Sequence, residues 1–246
     1  MSALSKVVRV ESKLMLRDIA PVIFTIVLPL VVLIAFGSIP GSRQVDPATG
    51  YRAIDTVLPS ICLALALAMS AIFTLPVYMA TYREKGVLRR LATTPVRPIT
   101  LLGAQLIVNL ALALVAVALV LIVGGVAFGM AMPANVPGFI GAIVLGLLAM
   151  YGLSLLLAAL LPNARLAGGI GWAVFFPLGL TAGVWVPRDF LPSALRTLGD
   201  VTPLGAFREA IQSSWVDIGP RPIHLITLAV TAVVTLVAAA RWFRWQ

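Results

Sequence analysis

The chain has 246 residues, of which 61% are hydrophobic and 11% charged, with a net charge of +9. Soluble domains carry about half apolar and about a quarter charged residues, so this chain must be solvated mostly by lipid, and no polar stretch is long enough to build a separate soluble domain. The single cysteine, Cys62, excludes an intrachain disulfide framework and a cysteine-based metal cluster.

The stretch from Leu4 to Arg17 predicts a helix lying in the membrane interface. At about 100° per residue, Lys6, Arg9, Lys13 and Arg17 form one stripe, and Leu4, Val7, Val8, Leu14 and Met15 fall opposite it. Such a helix places apolar side chains at the acyl boundary and cations among the headgroups. It serves either as a plain anchor or as a mechanical element, and the sequence leaves both open.

A bilayer core takes about 20 apolar residues as helix, and the charged residues divide the remainder into six such runs: 19–39, 56–82, 98–131, 137–161, 166–187 and 222–240. The third and fourth come from one uncharged stretch, Pro98 to Ala164, which Met132-Pro-Ala-Asn-Val-Pro-Gly138 breaks. The first run is longer than a signal-peptide core, and Gly37 to Ser42 makes a poor cleavage site, so retention is expected. The expectation is an all-α membrane protein with six transmembrane helices, forming one domain over residues 1–246.

An even number of spans puts both termini on one side. Placing them in the cytoplasm gathers Lys6, Arg9, Lys13, Arg17, Arg83, Lys85, Arg89, Arg90, Arg97, Arg165, Arg241 and Arg244 there, against Glu11, Asp18 and Glu84 alone. On the other side Arg43, Arg52, Arg188, Arg196, Arg208 and Arg221 balance Asp46, Asp55, Asp189, Asp200, Glu209 and Asp217. The whole excess of +9 then lies on one face. The positive-inside rule accounts for that, and no nucleic-acid partner is needed. A multi-pass protein of the plasma (inner) membrane is expected, with cytoplasmic termini.

Between the second and third spans, Tyr82 to Pro95 reads as a short amphipathic helix. Val87, Leu88 and Leu91 make a narrow apolar face with Glu84 one turn earlier, and Lys85, Arg89 and Arg90 cluster away from it. Thr94-Pro95 ends it, because the residue before proline avoids helical geometry. A docking helix explains the mixed face, whereas a solvated loop explains only the basic charge.

Within the spans, Gln105 and Asn109 lie one turn apart and either line a substrate path or bond between helices. Gly125 with Gly129, and Gly179 with Gly183, are spaced for close helix approach within or between subunits. The outer segment Pro187 to Arg221 predicts two short amphipathic helices, one carrying Leu191, Leu195 and Leu198, the other Leu204, Phe207 and Ile211. Thr202 is placed as an N-cap and Pro203 in the first turn. These helices should dip into the headgroup region or cap a cavity.

Arg83-Glu84-Lys85-Gly86-x-Leu88-x-x-Leu91, followed by Thr202-Pro203-Leu204-x-x-Phe207-x-Glu209-Ala210 before the last span, resembles the ABC-2 type transporter permeases. The similarity is strongest to the daunorubicin/doxorubicin resistance group and covers essentially the whole chain, with Thr202 and Gln212 where members commonly carry Asn and often Arg. The resemblance implies a permease subunit of an exporter of drugs, lipids, glycolipids or polysaccharide, with multidrug resistance as one outcome. It also implies a homodimer, with residues 83–91 as the coupling helix to a separate ATPase subunit. ATP and magnesium would be bound by that partner and no cofactor by this chain. In agreement, the sequence has no Gly-x-x-x-x-Gly-Lys-Ser/Thr phosphate loop, and Gly168-Gly169-Ile170-Gly171 lies inside a span without a lysine.

A proton-coupled secondary transporter would keep ionisable relays deep in the spans, and none is found there. An intramembrane hydrolase would need a nucleophile and a base, for which only Ser154 and the single histidine, His224, offer themselves. No filter segment of a channel is recognisable. No metal site and no catalytic residue is expected.

Overall fold

Apolar runs cannot leave backbone N–H and C=O groups unpaired in hydrocarbon, so they close their hydrogen bonds within helices. The computed structural model describes residues 3–47, 49–87, 98–216 and 219–242. In chain order these form α1 (Ala3–Arg17), α2 (Ile19–Gly37), α3 (Val57–Glu84), α4 (Pro98–Phe128), α5 (Val136–Leu160), α6 (Ala164–Thr181), α7 (Ser193–Asp200), α8 (Pro203–Ser213) and α9 (Pro222–Trp242). Among the described residues there is no strand, and six helices, α2 to α6 and α9, are long and apolar enough to cross a membrane. The all-α membrane class is the observed one.

Side-chain caps and glycines set the helix ends. Asn135 Oδ1 accepts from Gly138 N at 2.8 Å to start α5, and Asn163 Oδ1 from Leu166 N at 2.8 Å to start α6. Gly129 and Gly183 adopt φ of +60° and +75°, where a helix cannot continue. Helix α4 therefore stops at Phe128 rather than 131, and α6 at Thr181 rather than 187, although apolar residues run on. Thr202 does occupy the N-cap position of α8, but its hydroxyl donates to Gly199 O at 3.0 Å instead of capping α8.

The first two spans change pitch midway. Ile23–Val27 in α2 and Met69–Thr74 in α3 wind as π-helix, and each stretch is followed two residues later by a proline, Pro29 or Pro76. Proline offers no N–H, and its ring crowds the carbonyl four residues back. A wider turn relieves that crowding, and such turns recur at functional sites.

Helix α3 is the axis of the bundle: 83% of its apolar window is buried, against 22 to 50% for the other spans. At one end α8 enters between α3, α5 and α9, with Leu204, Phe207 and Ile211 fully enclosed. A Cβ on Gly146 of α5 would overlap the Phe207 ring, so glycine makes the seat for that side chain. The expected apolar face of the preceding helix is not a single buried face. Leu191 is buried but precedes α7, Leu195 is half-buried and Leu198 is exposed. At the opposite end α1 packs on α4, with Met15 against Val108 and Leu112.

Candidate functional site

The end of the bundle that carries α1 also carries the base of the loop singled out in the sequence. Arg83 turns inward, its Nη1 donating to Ala158 O at 3.2 Å and Leu161 O at 2.6 Å, so it closes the last carbonyls of α5. Glu84 and Lys85 are exposed and end α3, and Gly86 is left-handed at φ +64°. That break separates Glu84 from the half-buried Val87: the two do not share one continuous helix, contrary to the reading of 82–95 as a single element. Leu88, Arg89, Arg90 and Leu91 lie outside the described residues.

One turn before the loop, Tyr82 meets α1. Its hydroxyl donates to Glu11 Oε2 at 2.7 Å, and Gln105 Nε2 of α4 donates to the same oxygen at 2.6 Å. Lys6, Arg9, Lys13 and Arg17 are exposed, whereas Glu11 is 5% exposed and faces the bundle with Val7, Val8 and Met15. Burial pushes the Glu11 carboxyl above the usual carboxylate range, against the bonds from Tyr82 and Gln105 that pull it down. From Gln105 the polar chain continues inward. Asn109 Nδ2 lies 3.2 Å from Gln105 Oε1, and Asn109 O accepts from Tyr151 of α5 at 2.8 Å and from Ser70 of α3 at 3.4 Å. Gln105 and Asn109 are both buried and hold α1, α3, α4 and α5 together by hydrogen bonds. The sequence reading missed Glu11, though an acid on the Val7, Val8 and Met15 stripe was the available signal.

Beside this network, α2, α3 and α6 enclose a groove of about 260 Å³. Its apolar wall includes Phe24 and Phe73 from the two π-helical turns, together with Met69, Val77 and Trp172. Its polar end is Asp18, whose Oδ2 accepts from Tyr78 OH at 2.7 Å. Phe73 and Trp172 stack obliquely with ring centres 4.9 Å apart, and Phe175 continues the aromatic row toward Trp185. Trp172 and Phe176 remain more than half exposed on the outer surface of α6.

The far end of the bundle holds a second polar assembly. Arg188 bridges Asp200 at 2.7 Å and Glu209 at 2.9 Å, and Arg208 of α8 donates to Ala182 O and Gln212 Oε1. His224 lies against Asp200 at 3.4 Å, while Ser154 Oγ is buried without a hydrogen-bond partner. The Ser–His pair of a hydrolase is therefore not formed. Gly179 and Gly183 pack within the chain, against Trp185 and against Arg188 and Arg208, whereas Gly125 meets nothing within 4 Å.

Five apolar helices around the buried α3, a surface helix tied to the second span and a helix entering from the far end define a multi-pass membrane protein. Residues 3–215 match the ABC-2 type transporter family, and the chain belongs to that family. It is the membrane domain of an ABC transporter, a class whose members work with a nucleotide-binding partner. Among curated proteins none matches the chain.

Proposed function

We propose that this chain is the permease subunit of an exporter that moves an amphipathic substrate out of the cytoplasm, driven by a separate ATPase subunit that binds ATP and magnesium. The observation that carries the reading is the groove between α2, α3 and α6. Aromatic and aliphatic side chains line its length and a carboxylate with a phenol lies at one end, a complement to a molecule with an apolar body and a polar head. The groove reaches the outer surface of the bundle, and a second copy of the chain seated over Trp172 and Phe176 would close it, giving a homodimer.

Residues 83–91 are the proposed coupling segment, with Leu88 and Leu91 as its inserting face. Arg83 and Tyr82 bind its base to α5 and α1, so displacement of the segment would be passed to several helices together. The charge asymmetry supports a cytoplasmic position for both termini and this segment.

The test uses the assembled transporter in membranes. Trp172→Ala and Phe73→Ala should each raise the concentration of an aromatic amphiphile needed to stimulate ATP turnover by roughly tenfold, the scale of losing one aromatic contact. Co-purification with the ATPase should be unchanged. Unaltered stimulation in both variants would place the substrate elsewhere and overturn this reading of the groove.

A further inference from the structure

Among the described residues that line the groove between α2, α3 and α6, Asp18 alone carries a charge. It stands between α1 and α2 and caps the latter, with Oδ1 accepting from Ala20 N at 3.3 Å. Its other oxygen, Oδ2, accepts from Tyr78 OH at 2.7 Å. A carboxylate offers about four lone-pair sites, so these two donors leave acceptor capacity open on both oxygens. Asp18 is in no ion pair among the described residues. The exposed cations of α1, Lys6, Arg9, Lys13 and Arg17, do not line the groove. Lys85, also exposed, lines an adjoining hollow of about 310 Å³ that shares Asp18, Val77 and Tyr78 with it. The two hydroxyls that line the groove are both turned to the chain, Tyr78 to Asp18 and Thr74 to Met69 O at 3.4 Å, so neither is offered to an anion.

We infer, resting on this groove as the amphiphile site, that the head it receives is an ammonium group and that Asp18 selects for it. An anionic head would meet a like charge at the polar end of the groove. A hydroxyl can donate one neutral hydrogen bond to Asp18, whereas an ammonium brings the opposite charge and several donors, and charge-assisted bonds are about twice as strong as neutral ones. The rings of Phe24, Phe73, Tyr78 and Trp172 along the wall act in the same direction, because an aromatic π-system attracts a cation. An acyl chain without a head would leave the open acceptor positions of Asp18 unmet.

The full chain in phosphatidylcholine nanodiscs is titrated at neutral pH with three radiolabelled amphiphiles that share a naphthylalkyl body and carry an ammonium, a hydroxyl or a sulfonate head, with uptake by empty nanodiscs subtracted. Saturable binding is expected to weaken in that order, the ammonium compound binding about tenfold or more tighter than the hydroxyl one. Asp18→Asn keeps an acceptor for Ala20 N, so α2 keeps its cap. It should bring the ammonium and hydroxyl affinities within about twofold of each other. Trp172→Ala should weaken the binding of every head. If Trp172→Ala leaves binding unaltered, the amphiphiles sit outside the groove, and the groove reading falls together with the role of Asp18. If Trp172→Ala weakens binding but the parent shows no ammonium preference, or Asp18→Asn retains it, the groove stands and selection by Asp18 is overturned.

Discussion

Glu11 is a single carboxylate on which three helices converge. With Tyr82 and Gln105 both donating to it, Glu11→Ala removes the shared acceptor of the half-buried Tyr82 hydroxyl and the buried Gln105 amide and should lower the stability of the purified chain by about 1–3 kcal/mol, read as a fall in its melting temperature in detergent. Its titration gives a second readout. The native carboxyl holds its proton more tightly than the ordinary value of 4.5, so its contribution is full below that value and is lost as pH rises through the higher native one. Glu11→Gln should flatten this acidic-to-neutral decline in melting temperature. A decline of the same slope in the variant would show that another group causes it. Composition could place Glu11 near the membrane surface but not inside the bundle, because its partners stand 71 and 94 residues away. Gln105 and Asn109 were visible as polar residues in a span, while the neighbours that complete their bonds come from other helices.

Among the elements, apolar run length sufficed to locate the spans, since lipid demands it, but not to end them. Gly129 and Gly183 fix the ends of α4 and α6 by backbone conformation, which hydrophobicity does not register. The π-helical turns of α2 and α3 were missed although Pro29 and Pro76 stand in plain view. A proline in a span signals a local irregularity, and only the structure says that both irregularities face one groove. Pro29→Ala with Pro76→Ala should let both spans regain regular pitch, move Phe24 and Phe73, and reduce amphiphile-stimulated ATP turnover about tenfold or more while expression persists. Helix α8 is an equally specific fit. Gly146→Val should evict Phe207 from its seat and cost about 1–3 kcal/mol in chain stability, measured by thermal unfolding. A variant as stable as the parent would mean that α8 docks elsewhere.

For the whole molecule, the layout of six spans with helices at both ends was legible because the bilayer sets lengths. The groove was not, since it is made by α2, α3 and α6, which only the fold brings together. The side assignment is testable with Cys62 replaced and a cysteine placed at Ser193, in the exposed first turn of α7. It should react with an impermeant reagent in intact cells, and reaction only after permeabilisation would reverse the topology.

We propose that this membrane domain is driven through residues 83–91 by another subunit's ATP hydrolysis. Leu88→Asp combined with Leu91→Asp puts two carboxylates on the face proposed to insert, where burial of unpaired charge is costly, and leaves all six spans unchanged. The most direct measurement is co-purification of the ATPase with this double variant, together with substrate-stimulated ATP turnover in the same membranes. The expected result is a variant that inserts at normal levels but retains roughly a tenth or less of the partner and of the stimulated turnover. A double variant that holds its partner and exports like the parent would contradict the account.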